Sequence, residues 1–351
     1  MQRILFIHNS PTQFVRLDLE ELRKHYQVTE HYERSRWINF AALWRQVKTH
    51  DLVFGWFASW HTFLPLEFAK LLRKPSVLVV GGYDLANMPE ISYGHQRGGM
   101  KKWLSRRTMR SATCLITNSR YSQEEAARNA ALSKDVVHAV YHGVPDPFGC
   151  LPPGPRARMA LTVGNVDRGN LRRKGHEPFV RAAALLPDVS FVLVGNWKDD
   201  AIEYLRGIAT PNVTFTGRVS DEVLLDYYRQ ASVYVQPSLH EGFGLSVAEA
   251  MLAGCVPVAT GAGALAEVTG ECGVRISSPD PAEIAQAIQT AMSYPDEARS
   301  LIRTRILEQF PMKKRREHLE QLIEPLMNGH QASQVKRERA VIERLRRDAA
   351  D

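Results

Sequence analysis

Val233-Tyr234-Val235-Gln236-Pro237-Ser238 and, after Leu239, His240-Glu241-Gly242-Phe243-Gly244-Leu245-Ser246-Val247-Ala248-Glu249-Ala250-Met251-Leu252-Ala253-Gly254 form the stretch that decides the fold. The first part is a short apolar run closed by a turn, which reads as a strand. After Gly244 the apolar residues Leu245, Ala248 and Leu252 fall at helical spacing, and Gly254 stands where a helix commonly ends. The pattern is strand, glycine-interrupted loop, buried helix. Glu241 and Glu249 bracket the helix start, eight positions apart. As helix, that interval rises about 12 Å, so the spacing predicts two carboxylates facing one side, far enough apart to hold the two ends of an extended ligand. Gly242 and Gly244 leave room for a ligand to approach backbone. The first amides of a helix lack intrahelical acceptors and attract anions. An acid in that loop sits in a positive field and is expected to stay ionised. The competing reading is an ordinary α/β crossover with two surface glutamates.

Short apolar runs alternate with helical patterns on both sides of this stretch. Residues 4–7, 51–55, 76–80, 114–119 and 136–141 read as strands of a first series, with a weaker one at 28–32. Residues 14–26, 65–72 and 123–129 read as its helices. Residues 146–155 are rich in Pro and Gly and read as a linker. A second series follows, with strands at 160–164, 189–195, 213–218, 233–236 and 256–260. Its helices are expected at 178–186, 201–208, 222–230 and 281–293, with a basic loop at 168–174. Alternation of this kind argues for an α/β protein with parallel sheets covered on both faces. The domains are expected at 1–148 and 156–310, followed by a charged helical segment at 311–351. Residues 299–327 have the length for a terminal helix, and 335–347 read as a further, solvated one.

The 351 residues suit two domains, and their composition is that of an ordinary soluble protein. Cys114, Cys150, Cys255 and Cys272 are scattered, with no Cys-x-x-Cys pair. Neither a zinc knuckle nor a disulfide framework is indicated, and a reducing, cytoplasmic compartment is expected. The N-terminal apolar run is too short for a signal peptide, and no run is long enough to span a bilayer. Residues 1–150 hold 20 Lys and Arg against 13 Asp and Glu, whereas residues 151–351 hold 25 of each. The basic excess belongs to the first half and suits an anionic partner or surface. Residues 100–110 are basic and amphipathic, with Met100, Trp103, Leu104 and Arg107 on one side. Such a segment suits either peripheral contact with an anionic membrane, on the inner face, or a helix packed by that apolar side.

The run Pro-Ser-x-x-Glu-Gly-Phe-Gly-Leu-x-x-x-Glu-Ala-Met at 237–251 resembles the retaining glycosyltransferases of family 4, the group 1 glycosyl transferases. The resemblance covers the whole second series in order and spacing. In the first it rests mainly on Gly81-Gly82-Tyr83-Asp84, Thr117-Asn118-Ser119 and His142-Gly143-Val144. It implies a GT-B fold, with two Rossmann-like parallel-sheet domains facing a cleft, an acceptor domain first and a donor domain second, and a C-terminal helix crossing back. It further implies that Glu241 lies against the transferred sugar, that Gly242-Phe243-Gly244-Leu245 reach sugar and diphosphate, and that Glu249 holds the ribose. Lys174, in Lys174-Gly175, matches the family's diphosphate lysine. The family's basic residue after the strand-ending Gly164 is replaced by Asn165, leaving Arg168, Arg172 or Arg173 to supply a second cation. Gly217-Arg218 match a position near the nucleotide, and Glu267 is a weaker donor-loop candidate. The family's N-terminal glycine-rich loop is replaced by His8-Asn9-Ser10-Pro11.

On the acceptor side, Asp84 follows a strand end, where ligands gather in such sheets, although a turn aspartate capping backbone is an equal reading. His95 and His61 are further candidates. The expected activity is metal-independent hexosyl transfer with retention, from a UDP-, GDP- or ADP-sugar co-substrate to a hydroxyl of a glycan or lipid acceptor. No Asp-x-Asp pair occurs to hold a metal. No cofactor is expected, and nucleic acid is not among the expected partners. Two alternatives remain at this point. Gly261-Ala262-Gly263-Ala264-Leu265-Ala266 fits the dinucleotide fingerprint of an oxidoreductase, and a catalytically silent protein of the same fold would merely bind a partner.

Overall fold

The computed structural model describes residues 2–35, 38–149 and 156–329. Cys150, most of the expected linker and the helix expected at 335–347 lie outside these residues. The first series is β1 (Arg3–His8), α1 (Gln13–His25), β2 (Gln27–Tyr32), α2 (Phe40–Thr49), β3 (Leu52–Trp56), α3 (Trp60–Leu71), β4 (Ser76–Val80), α4 (Gly99–Ser111), β5 (Cys114–Thr117), α5 (Arg120–Ala130) and β6 (Val137–Ala139). The strands are parallel, in the order β2-β1-β3-β4-β5-β6. Successive side chains of a strand point to opposite faces, and the core divides accordingly. Ile4 and Phe6 of β1 pack with Val15, Leu19 and Leu22 of α1 on one face. Leu5 and Ile7 pack with Leu43 of α2, Leu66 of α3 and Ala126 of α5 on the other.

The second series is β7 (Ala157–Val163), α6 (Arg168–Arg173), α7 (His176–Ala182), β8 (Ser190–Val194), α8 (Ala201–Ile208), β9 (Val213–Gly217), α9 (Asp221–Gln230), β10 (Ala231–Gln236), α10 (Leu245–Leu252), β11 (Val256–Thr260), α11 (Leu265–Thr269), β12 (Val274–Ile276) and α12 (Pro281–Met292). Its sheet is again parallel, in the order β12-β11-β10-β7-β8-β9. The order reverses between β7 and β10. In open α/β sheets ligands bind outside the carboxyl ends of the strands at such a reversal. The loops leaving β7 and β10 carry Gly164, Lys174 and Glu241. Topology therefore brings these residues together, although 67 positions separate the two charged ones.

Two helices close the molecule. On α13 (Asp296–Gln309), Ile302 and Ile306 are buried in the second domain's core. On α14 (Met312–Met327), Leu319, Ile323 and Leu326 complete the α1 face of the first domain. The chain thus crosses back, as the fold implies. Residues 299–327, long enough for one terminal helix, fall on two, broken at Phe310-Pro311, because a proline disfavours helical backbone in the residue before it. Arg315 of α14 is fixed by a buried ion pair to Asp18 of α1, Nη2 to Oδ2 2.7 Å.

Some local readings differ. Residues 168–173 form a short helix instead of a loop, because the Asp167 carboxylate accepts from the Asn170 amide at 2.8 Å and caps it. Helix α3 begins five residues before Pro65, where the Ser59 amide donates to Thr62 Oγ1 at 3.2 Å. Of the two readings of residues 100–110, packing by the apolar side does not hold for its two largest members, since Met100 is 74% and Trp103 57% exposed. Small residues, Ser105 and Thr108, face inward with Met109 instead.

Candidate active site in the interdomain cleft

Only the second half of the Glu241–Glu249 interval is helical. Helix α10 starts at Leu245, and Glu241 lies in the loop before it. Gly244 makes this turn with a left-handed φ of 95°, and a Cβ there would stand 2.8 Å from Leu265 Cδ2. The Phe243 ring is buried against His142, Tyr141 and Phe310 and so pins the loop. Gly254 follows the helix with a φ of 81°, and its amide donates to Met251 O at 2.9 Å.

Glu241 sits in a nest of donors. Lys174 Nζ donates to Oε1 at 2.7 Å, Ser238 Oγ at 3.2 Å and Gln236 Nε2 at 3.3 Å. Arg173 Nη1 stands 3.9 Å from the same oxygen. The Lys174 and Glu241 side chains are 16% and 13% exposed. Burial alone would push the Glu241 carboxyl up; the charges of Lys174 and Arg173 outweigh it and hold the group at about 2. A fixed carboxylate and a fixed cation thus share one small, partly desolvated space. The Lys174 stem lies over Gly164, where a Cβ would meet Lys174 Cδ at 2.8 Å. Asn165 is adjacent, its carbonyl accepting from Asn170 Nδ2 and His176 Nε2.

Glu249 is held differently. Tyr228 OH donates to its Oε2 at 3.1 Å, and Gln13 Nε2 of the first domain donates to Oε1 at 2.5 Å. Burial pushes this carboxyl up to about 7 against those two hydrogen bonds. A glutamate that keeps an exchangeable partner from the opposite domain is suited to accept from ligand hydroxyls in its place.

The cleft is closed by contacts between the domains. Ser119 Oγ and Ser122 Oγ of α5 and its cap donate to Gly242 O at 2.8 and 3.3 Å. A Cβ on Gly242 would reach 3.1 Å from the Gly82 amide. His240 Nε2 lies 2.9 Å from Glu125 Oε1 with both side chains buried. Glu267 accepts from the Arg120 and Tyr121 amides, at 3.0 and 2.6 Å, and from Tyr141 OH at 2.5 Å. A carboxylate over the start of α5 complements the positive end of that helix. Glu267 is therefore placed as an interdomain cap.

The other sequence candidates fall in varied places. Arg168 is not brought to Glu241: its guanidinium is 74% exposed and pairs with Asp200. The arginine that does arrive is Arg173. Gly217 ends β9 with a φ of 70°, next to the Trp197 ring, and Arg218 is exposed. Asp84 is buried, with Oδ2 accepting from the Ala58 amide at 3.0 Å and Oδ1 from the Gly81 amide at 2.9 Å. Burial raises it to about 7. It ties the turn after β4 to the end of β3, which is the capping reading rather than an open acceptor contact. His61 Nε2 is taken by the Trp56 carbonyl at 2.8 Å. His95 lies half-buried against Tyr83, ring centroids 4.8 Å apart, and burial lowers its pKa.

Gln13, Tyr93, Glu125, Tyr228 and His240 reach the cleft without having been singled out for it. Their only sequence signal is position after a strand or on an element facing the cleft, because cross-domain partners share no local spacing. The dinucleotide reading of residues 261–266 meets two obstacles. Helix α11 has five residues, and Gly263 packs on Glu241, where a Cβ would lie 2.1 Å from its carbonyl oxygen.

Two parallel-sheet domains facing a cleft, tied by a returning helix, define the GT-B class of fold. The structure of HepE from Anabaena, solved in complex with UDP and glucose, superposes with a TM-score of 0.73 at 18% identity, covering 92% of this chain and all of that one. Residues 157–293 match the family described as glycosyl transferases group 1. The chain is 29% identical over 203 residues to the O-antigen chain mannosyltransferase B of Escherichia coli, covering 50% of each. It is 27% identical over 267 residues to a D-inositol 3-phosphate glycosyltransferase of Mycolicibacterium vanbaalenii, covering 68% of this chain and 57% of that one. The chain thus spans about half the length of the curated relatives it matches.

Proposed function

We propose that this protein is a glycosyltransferase that moves a hexosyl group from a nucleotide-sugar to a hydroxyl of a glycan or lipid acceptor, with retention and without a metal. The observation that carries the reading is the Lys174–Glu241 pair at 2.7 Å, set at the sheet's switch point beside the start of α10. In this reading the donor lies across the loop, its diphosphate against Lys174 and the amides of Leu245 and Ser246, its ribose on Glu249. Glycosyl transfer passes through an oxocarbenium-like state. The ionised Glu241 carboxylate stabilises the positive charge on the sugar, and Lys174 is released from it to meet the growing negative charge on the leaving diphosphate. That exchange strengthens as charge develops, which is what lowers a barrier.

The group 1 match and relatives named for mannosyl and inositol-phosphate glycosyl transfer support the reaction type, and the fold neighbour solved with UDP and glucose supports a nucleotide-sugar donor. The exposed Met100 and Trp103, beside Lys101 and Lys102, support peripheral contact with an anionic membrane, where a lipid-linked acceptor would be met. No helix among the described residues is long and apolar enough to cross a membrane. The test is a thermal-shift screen of UDP-, GDP- and ADP-sugars, followed by nucleotide release with the stabilising donor in EDTA. The product's anomeric configuration is then read by NMR. Stabilisation by NAD alone, or turnover abolished by EDTA and restored by Mg²⁺, contradicts the proposal.

A further inference from the structure

Arg173 and Tyr93 meet across the cleft. Tyr93 belongs to the first domain, in the segment between β4 and α4, where paired backbone hydrogen bonds with Met88 at 3.0 Å hold it. Its ring packs edge-on to Tyr83 at 5.0 Å and tilts against His240 at 5.5 Å. The Arg173 guanidinium of the second domain lies over that ring, 4.8 Å from its centroid. Arg173 is held on every other side as well. Nε and Nη2 donate to Asn170 Oδ1 at 3.0 and 2.6 Å, and Nη1 donates to the His240 carbonyl at 3.3 Å. The side chain is nearly buried and points at Glu241.

Asn165 carries no charge, Arg168 is committed to Asp200, and Arg172 and Arg218 are exposed. We infer that Arg173 is the second cation facing the leaving diphosphate, and that Tyr93 is its positioning residue, supplied across the cleft by the acceptor domain. The inference rests on the transferase reading. Its consequence is that charge neutralisation is complete only while the domains are closed. The segment next to the Tyr83–His95 corner, on the acceptor side, thereby controls a group that acts on the donor. A donor bound to the second domain alone meets an Arg173 still tied to Asn170 and the His240 carbonyl but without the Tyr93 ring over its guanidinium, so neutralisation of the leaving diphosphate is weaker until the cleft closes.

The experiment is steady-state turnover of the stabilising nucleotide-sugar by the full chain, as Tyr93→Leu, Tyr93→Phe, Arg173→Lys and Arg173→Gln. A cation over an aromatic face is worth a factor of about 3–30 in rate if it acts in the transition state. Tyr93→Leu should lower kcat by that factor with donor KM within about twofold, and Tyr93→Phe should restore it. Arg173→Lys, which leaves Tyr93 in place, should also lower kcat, because an ammonium lacks the planar fork. In the Arg173→Gln background, Tyr93→Leu should cost nothing more. Wild-type kcat in Tyr93→Leu overturns the inference. So does equal loss in the Phe and Leu variants, or independent effects in the double variant. Should Tyr93→Leu fail to fold by near-UV circular dichroism, Arg173→Lys decides, and an unchanged kcat overturns it. If the wild type turns over no nucleotide-sugar at all, it is the transferase reading that fails.

Discussion

Replacing Lys174 by methionine removes the charge from the cleft while keeping the length of the stem over Gly164. Glu241 then stays buried with Arg173 at 3.9 Å as its nearest cation. The carboxyl is held at about 2, against an ordinary 4.5. That lowering, the joint effect of Lys174 and Arg173 over burial, corresponds to roughly 3 kcal/mol. Orphaning one partner of a buried pair costs a similar amount. The sign fixes the pH window: a lowered carboxyl pKa contributes stability that is complete above about 4.5 and is lost as pH falls toward 2. Lys174→Met should therefore lower stability at pH 7 by about 3 kcal/mol, or roughly 6–12 °C in the Tm of the second domain, and the gap should narrow below pH 4.5. Adding Glu241→Gln should recover part of the loss, because no charge is then left unpaired. Calorimetry of the four proteins at pH 7 and pH 4 measures this. A single variant as stable as the wild type, or a double variant worse than the sum of its parts, would refute the argument that Lys174 holds Glu241 ionised.

Donor affinity should depend on pH through Glu249, which burial raises to about 7. If the ionised form accepts from the ribose, nucleotide binding should weaken about tenfold between pH 8 and pH 6, and calorimetric titration should find that slope gone in Glu249→Gln. Arg315→Met should lower stability by about 3–5 kcal/mol, since it leaves Asp18 charged and buried in the first domain; replacing both residues by apolar ones should recover most of it, and melting curves read both. Glu267→Ala should loosen the cleft rather than unfold either domain, since it releases the start of α5 and Tyr141. Small-angle scattering should then show a larger radius of gyration at nearly unchanged Tm.

The second domain was legible in the sequence because its chemistry is local. Strand, glycine bend and helix follow one another at 233–254, and the strand-ending Gly164 lies close in sequence to Lys174. The first domain was less so. Helix α2 went unread: residues 40–49 have only Leu43 and Val47 buried, too thin a stripe to show periodicity. Proline at 65 read as a helix start because it is usually tolerated only in a first turn, whereas α3 carries it inside. The two-turn arithmetic for Glu241 and Glu249 failed because Gly244 starts the helix between them. What the sequence did not carry at all was the pairing between domains. Gln13 with Glu249, Glu125 with His240 and Tyr93 with Arg173 become neighbours only when two independently formed sheets close on each other.

In the proposed reaction a nucleotide occupies the second domain between Lys174 and Glu249. Isothermal titration of UDP, GDP and ADP into the wild type and into Glu249→Ala tests it most directly. One of the three should bind the wild type in the micromolar range, and Glu249→Ala should weaken it by at least about tenfold, the worth of one charge-assisted hydrogen bond. Binding of none of them at millimolar concentration, or equal binding to both proteins, would contradict it.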